Sequence, residues 1–252
     1  VNVVRQWNAF LVSYALLLKH LVGINMIKII SNIDIVYKDS RPQGVGVFNR
    51  TWQPLHLRQG DMDGACAVYS LMMNLLVLKI LTRNQICGLS NPFKGNTSKG
   101  RLFKEFLYDE GLCRDGFFFS SPDGEPNITD KLRHSFTKEV KSAASKYDSC
   151  NDKQTLAVDT IKKSIDEDNS IMIAETFCDG AHAMLAIGYE VQNETVTKIF
   201  CLDPGNMISD YSYWNAVIRL NERTNSKYRH ICISKDNCTD VYISETLKIT
   251  KK

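Results

Sequence analysis

No basic block interleaved with aromatic residues occurs anywhere in these 252 residues. Thirty-one basic against twenty-eight acidic side chains leave a net charge of only +3, spread along the chain. Such a distribution lacks the electrostatic footprint of a nucleic-acid surface, so no nucleic-acid partner is expected. The eight cysteines, at positions 66, 87, 113, 150, 178, 201, 232 and 238, form no Cys-x-x-Cys pair and no zinc-type Cys/His spacing. Cys178 and Cys201 bracket His182, which leaves a metal site there conceivable on weak spacing. Four disulfides are arithmetically possible, but a chain of this length does not need staples, and a reactive thiolate works only when reduced. A reducing compartment such as the cytoplasm is therefore expected.

Also missing is an apolar run long enough to span a bilayer. Residues 9–24 are strongly apolar, but Lys19 and His20 interrupt them and the run is only sixteen residues, short of the ~20 that crossing requires. A more basic start and a small-residue cleavage site, the marks of a secretory signal, are lacking. Residues 1–25 read as an apolar helix packing on the domain or as an appendage to a folded unit at 26–252, and a packed helix is favoured over membrane contact through 9–24. No internal repeat, low-complexity segment or clean domain boundary interrupts the rest. With 44% hydrophobic and 23% charged residues, the composition is ordinary for a globular protein.

The organising feature is a switch within residues 59–81. Its first half is polar, with Gly60, Asp61, Asp63 and Gly64; its second half is an apolar run without proline or glycine. A loop ending at a helix start is expected there, with Asp63 or a neighbour available as cap. Val68, Leu71, Met72, Leu75, Leu78 and Leu81 recur at helical spacing, while Met73, Leu76, Val77 and Ile80 fill the other faces. A helix apolar almost all round is a buried one. Cys66 falls in its first turn, where unpaired N–H groups and the helix dipole favour a thiolate. Gln59, seven residues upstream, can bring an amide donor to the sulfur, as an oxyanion site requires.

Elsewhere, strand is expected from Met26 to about Tyr37, with residues 41–44 as punctuation, then a further short strand over 45–48 and a lead-in to the Gln59 loop over 52–57. Residues 84–126 are loop-rich, with helical spacing at 100–110 and an apolar triplet at 117–119. Residues 129–147 and 153–166 read as amphipathic helices and 170–176 as a strand. His182 heads a strand, a polar turn follows at 192–195, and a second strand ends at Asp203-Pro204-Gly205. Residues 211–220 read as a short helix or strand, and 229–234 and 241–249 as closing strands. If the turn is centred between Gln192 and Asn193, His182 and Asp203 both stand ten residues from it and lie opposite one another, with Cβ atoms ~5 Å apart.

Cys66 at a helix N-terminus, His182 on a strand, Asp203 on the adjacent strand and Gln59 as oxyanion donor compose a nucleophile–base–orienter array for acyl transfer. The residues around Gln59 and the Cys66 helix resemble the Gln…Cys-helix signature of papain-like cysteine peptidases. The run Gly180-Ala181-His182-Ala183-Met184-Leu185-Ala186-Ile187-Gly188-Tyr189 resembles their His strand, and Cys201-Leu202-Asp203-Pro204 resembles the Asp-Pro ending of the bacteriocin-leader-processing branch. Two positions depart from the pattern: the Gln–Cys separation is seven instead of the usual six, and Ala67 stands where papain has Trp and its relatives often Gly. The extra residue lets Asp63 or the N–H of Cys66 share the oxyanion role.

The resemblance implies an α+β, papain-like fold, with the Cys helix central and buried against an antiparallel sheet carrying His and Asp. It further implies a protein or peptide substrate and no cofactor. Hydrolysis of a peptide or isopeptide bond is the first functional expectation. Acyl transfer or glutamine deamidation on the same array is the second. A non-catalytic interaction module, with the N-terminal apolar segment and Phe117–Phe119 as contact surfaces, is the third.

Overall fold

The computed structural model describes residues 25–60, 65–87, 97–108, 118–121, 127–223 and 225–252. The N-terminal apolar segment at 9–24, Asp61, Asp63 and Phe117 therefore lie outside the described residues. The described chain opens with β1 (Met26–Ile29), followed by β2 (Ile33–Lys38), β3 (Arg41–Asn49) and β4 (Thr51–Pro54). Helix α1 (Cys66–Val77) comes next, then the short α2 (Arg83–Cys87) and α3 (Ser98–Phe103), the latter running into a π-helical turn. After α4 (Ile128–Ser135), β5 (Val140–Lys146) and α5 (Asn151–Asp166), six strands complete the chain. They are β6 (Ile171–Phe177), β7 (Gly180–Gln192), β8 (Thr195–Leu202), β9 (Ala216–Arg219), β10 (His230–Ser234) and β11 (Cys238–Lys251).

The protein is thus mixed helix and sheet, and its named strands pair antiparallel throughout. Strands β2, β3 and β4 form a small meander. In the large sheet the order β7-β6-β11-β10-β9-β8 returns to β7 through the β7–β8 hairpin, closing a six-stranded barrel. Closure leaves these strands without a free edge along the paired stretch. Two strands outrun the barrel and recruit extra partners. Beyond its pairing with β6, β7 takes on β1, and the far end of β11 takes on β5. Where β1 meets β7, a Cβ on Gly188 would fall 2.5 Å from the Lys28 carbonyl oxygen, so only glycine allows that approach.

Helix α1 forms as its all-round apolar pattern dictates. Everything from Ala67 to Val77 except Tyr69 is buried, at a gain of roughly 1.5–3 kcal/mol for each large side chain removed from water. It packs on β7, and the Ser70 hydroxyl donates to the Ala183 carbonyl oxygen at 3.2 Å. The helix is shorter than its apolar run. Lys79 adopts φ 58° and reverses the chain, with Lys79 N–H and Ile80 N–H donating back to the carbonyls of Leu76 and Leu75, the left-handed closure that commonly ends helices. Leu81 is still buried, but from outside the helix. The Asn32 amide donates to the Val77 carbonyl and the Asn49 amide to that of Leu81, tying the small meander to this end of the helix.

Three local expectations need correction. Residues 129–147 are not one helix: α4 stops at Ser135 and β5 follows, because the overhanging end of β11 offers backbone partners from Glu245 to Lys251. Residues 41–44 belong to β3, and the turn before it is Asp39-Ser40, both at positive φ, as in a tight hairpin. The single strand expected from Met26 is two strands serving different sheets. Among the described residues no helix is long and apolar enough to cross a membrane.

A buried polar bridge holds α5 to the barrel. His230 Nε2 donates to Gln154 Oε1 at 3.0 Å and its Nδ1 accepts from Asn221 N–H, while Gln154 also exchanges two hydrogen bonds with the Ile243 backbone. Both ring nitrogens are used by the neutral imidazole, and burial, with the Arg229 charge adding to it, lowers the His230 pKa to about 4. The unfolded chain therefore binds a proton here that the folded one refuses between about pH 6.5 and 4. Stability is predicted to be full above that window and to fall by about 3 kcal/mol as pH drops through it. Denaturant unfolding across that range should follow this curve, and His230→Gln should make it shallower.

Candidate active site

Where α1 meets the barrel, its first residue faces the start of β7. Cys66 is partly buried, and its sulfur accepts from the Ala183 N–H at 3.4 Å and from the Ala67 N–H. The N-cap position, Ala65, offers no side-chain cap. The sulfur takes up helix-terminal donor capacity that a capping oxygen would otherwise satisfy. Burial pushes the Cys66 thiol up, but a hydrogen bond and positive charge from His182, with the two backbone donors, outweigh it and leave the pKa below the ordinary thiol value.

His182 bridges this sulfur to a carboxylate. Its Nε2 lies 2.6 Å from Asp203 Oδ1, and the remaining ring nitrogen, Nδ1, is the one left to meet the sulfur. The imidazole is a fifth exposed and the carboxylate almost wholly buried, at 22% and 5%. Burial alone would strip the proton from His182; the Asp203 and Cys66 hydrogen bonds and their charges reverse that and raise its pKa to about 10. Asp203 shows the converse: burial pushes it up, but His182, the Asn206 amide and the Gly205 N–H bring it below the usual carboxylate value. The arrangement favours a thiolate–imidazolium pair at neutral pH.

The structure brings Cys66, His182 and Asp203 together, although the register differs from expectation. The hairpin turn is Asn193-Glu194, both at positive φ, flanked by Gln192 opposite Thr195, and two bulges interrupt the ladder; Leu185 ends up opposite Leu202. Asp203 is thus past the end of β8 and faces no residue across the ladder. The turn Asp203-Pro204-Gly205 carries its carboxylate back to His182. Oδ1 accepts from Gly205 N–H at 2.7 Å and Oδ2 from the Asn206 amide at 2.6 Å. A Cβ on Gly205 would press to 3.1 Å from Oδ1 and 3.5 Å from the His182 ring. Gln59 joins the same turn, its N–H donating to the Pro204 carbonyl at 2.9 Å. Its side-chain Oε1 is buried without a hydrogen-bond partner among the described residues.

Two residues that the sequence did not flag hold the backbone of Asp203 in place. Asn215 accepts from the Asp203 N–H (2.7 Å) and donates to the carbonyls of Asp203 (2.8 Å) and Asn206 (3.0 Å). His56 Nε2 donates to the same Asp203 carbonyl at 2.8 Å, and burial holds that imidazole's pKa below its ordinary value. Trp214 stacks on Phe200 with ring centroids 4.1 Å apart, fixing the segment that presents Asn215. Neither residue sits in a motif; only the fold assembles them. Cys201, once bracketed with His182 as a metal candidate, is fully buried while Cys178 is exposed, and among the described residues no cluster suits a metal ion. No protein-family model matches this chain, and no curated protein matches it.

Asn215→Ala is predicted to leave the Asp203 backbone and the Asn206 carbonyl short of partners, costing on the order of 2 kcal/mol. The midpoint of urea unfolding reads this directly.

Proposed function

We propose that the chain is a papain-like cysteine peptidase that hydrolyses a peptide or isopeptide bond. The observation that carries this reading is the Cys66–His182–Asp203 relay, sulfur to imidazole to buried carboxylate, at the N-terminus of a buried helix. The Cys66 thiolate attacks the substrate carbonyl carbon, and the oxygen takes the negative charge. As the tetrahedral species collapses, His182 Nδ1 gives its proton to the departing amine, the C–N bond breaks and a thioester to Cys66 remains. His182, now neutral, takes a proton from water as the hydroxyl adds to the thioester; collapse releases the acid and restores the ion pair. Asp203 keeps the imidazole oriented and stabilises its charged form throughout.

Negative charge on the carbonyl oxygen calls for donors beside the sulfur. Gln59 is the side chain assigned this role, because its backbone is pinned to the Asp203-Pro204 turn and its amide group is sheltered there. The antiparallel barrel with a Cys-bearing helix packed on its His strand supports the same reading.

Low-dose iodoacetamide is predicted to label Cys66 first, at a rate that persists well below the ~8.5 pKa of a free thiol. Peptide mapping of wild type, Cys66→Ala and His182→Ala reads it. Labelling in wild type should sit on the Cys66 peptide and slow in His182→Ala. Labelling that spreads undiminished over other cysteines in Cys66→Ala would remove the case. On a peptide library, Cys66→Ala should lose activity on the order of 10⁴-fold or more, and product masses separate the chemistries: shortened peptides mean hydrolysis, a gain of about one mass unit deamidation, and joined molecules transfer.

A further inference from the structure

A second carboxyl lies behind the His182–Asp203 pair and takes no part in the relay described above. Glu175 on β6 is the direct cross-strand partner of His182 on β7, so the two side chains share a face of the sheet with Cβ atoms ~5 Å apart. That face is the inner one of the barrel. Glu175 receives a hydrogen bond from the Cys232 thiol on β10, and β11 separates β6 from β10 in the ring, so the contact spans the interior. Glu175 is only 4% exposed, and its Oε2 is buried with no hydrogen-bond partner among the described residues. A carboxyl so enclosed costs stability unless it interacts with something specific.

We propose that Glu175 is a positioning residue acting through His182: an internal counter-charge, opposite the imidazole on the neighbouring strand, that keeps the second proton on His182 while Cys66 is a thiolate. The proposal rests on the Cys66–His182 reading above and adds the regulation of that pair by pH. Burial pushes the Glu175 carboxyl up to about 7, against the pull of the His182 charge and the Cys232 thiol. The groups facing it are His182 on β7, Asp203 and Cys201 at the end of β8, and Cys232 on β10, while β11 presents the apolar Ile243 opposite it. Cys201 and Cys232 are both held well above the ordinary thiol value by burial and by this carboxyl. They therefore remain neutral, and His182 is the cation it opposes.

The signs follow from those neighbours. Below about pH 7 Glu175 is neutral and His182 is held by Asp203 and the sulfur alone. Above it Glu175 is charged, and loss of the His182 proton is deferred to higher pH. Iodoacetate reads this, because its carboxylate is drawn by the imidazolium while its carbon is attacked by the thiolate. Its rate at the Cys66 peptide therefore falls on the alkaline side as His182 loses its proton.

The test compares wild type, Glu175→Gln and Glu175→Asp, using the whole 252-residue chain and mapping the Cys66 peptide. Glu175→Gln should move the alkaline limb down by roughly one pH unit, a tenfold rate loss between the two limbs, and Glu175→Asp should restore most of it. A folded Glu175→Gln protein with an unmoved limb overturns the proposal, since a merely structural glutamate would change stability and leave that limb in place. Should Glu175→Gln fail to fold, wild type with ¹³C-labelled histidine serves instead. The His182 signal should step near pH 7 before its own titration, and its absence overturns the proposal equally. A wild-type Cys66 no more reactive than a free thiol sinks the peptidase reading as well, whereas an activated Cys66 indifferent to Glu175 sinks this inference alone.

Discussion

Everything proposed for this protein depends on one imidazole held between two structural units. His182 belongs to the barrel, Cys66 to a helix packed on the barrel strand β7, and their contact exists only while helix and sheet stay docked. The docking is apolar on a large scale, through the buried side chains of α1, and polar at one point, where the Ser70 hydroxyl meets the Ala183 carbonyl. Ala183 contributes twice over: its carbonyl receives that hydroxyl and its N–H is donated to the Cys66 sulfur. One peptide segment of β7 thus sets the helix position and the sulfur position together.

Charge placement extends this logic. A thiolate, an imidazolium and a carboxylate in a desolvated row are unstable singly and stable together, because each interior charge is offset by its neighbour. Asp203 can afford its burial because Gly205, Asn206 and His182 donate to its two oxygens. Asn215 and His56 hold the backbone that carries it. The carboxylate and the backbone that carries it are therefore hydrogen-bonded from several sides. Glu175 is the exception to this satisfaction, since one oxygen makes no protein hydrogen bond among the described residues, and it lies directly opposite the histidine.

Much of this was legible in the sequence because the signals were local. The buried helix showed itself as an apolar run without breakers, and the His strand as β-favouring residues before a polar turn. The His182–Asp203 contact was anticipated for the wrong reason. A symmetric hairpin would have paired the two across the ladder, whereas bulges and a turn centred one residue later shift the register, and Asp203 reaches His182 from the turn beyond β8. Residues 140–146 read as helix because small residues fit either period, and only the distant end of β11 makes them a strand. His56 and Asn215 left no trace, since their partners lie far away in the chain. Glu175 did leave one: it follows Ile171 and Ile173 at strand spacing, an acid on the apolar parity of a strand whose neighbour carries the histidine.

The central claim is that Cys66 and His182 share their charge as an ion pair at neutral pH. The ultraviolet thiolate absorbance of Cys66, taken as wild type minus Cys66→Ser and followed from acid to alkaline pH, tests it most directly. The account predicts thiolate well below the ~8.5 expected of a free thiol, and its displacement toward that value in His182→Ala. Thiolate appearing only near the free-thiol value, with or without His182, would contradict it.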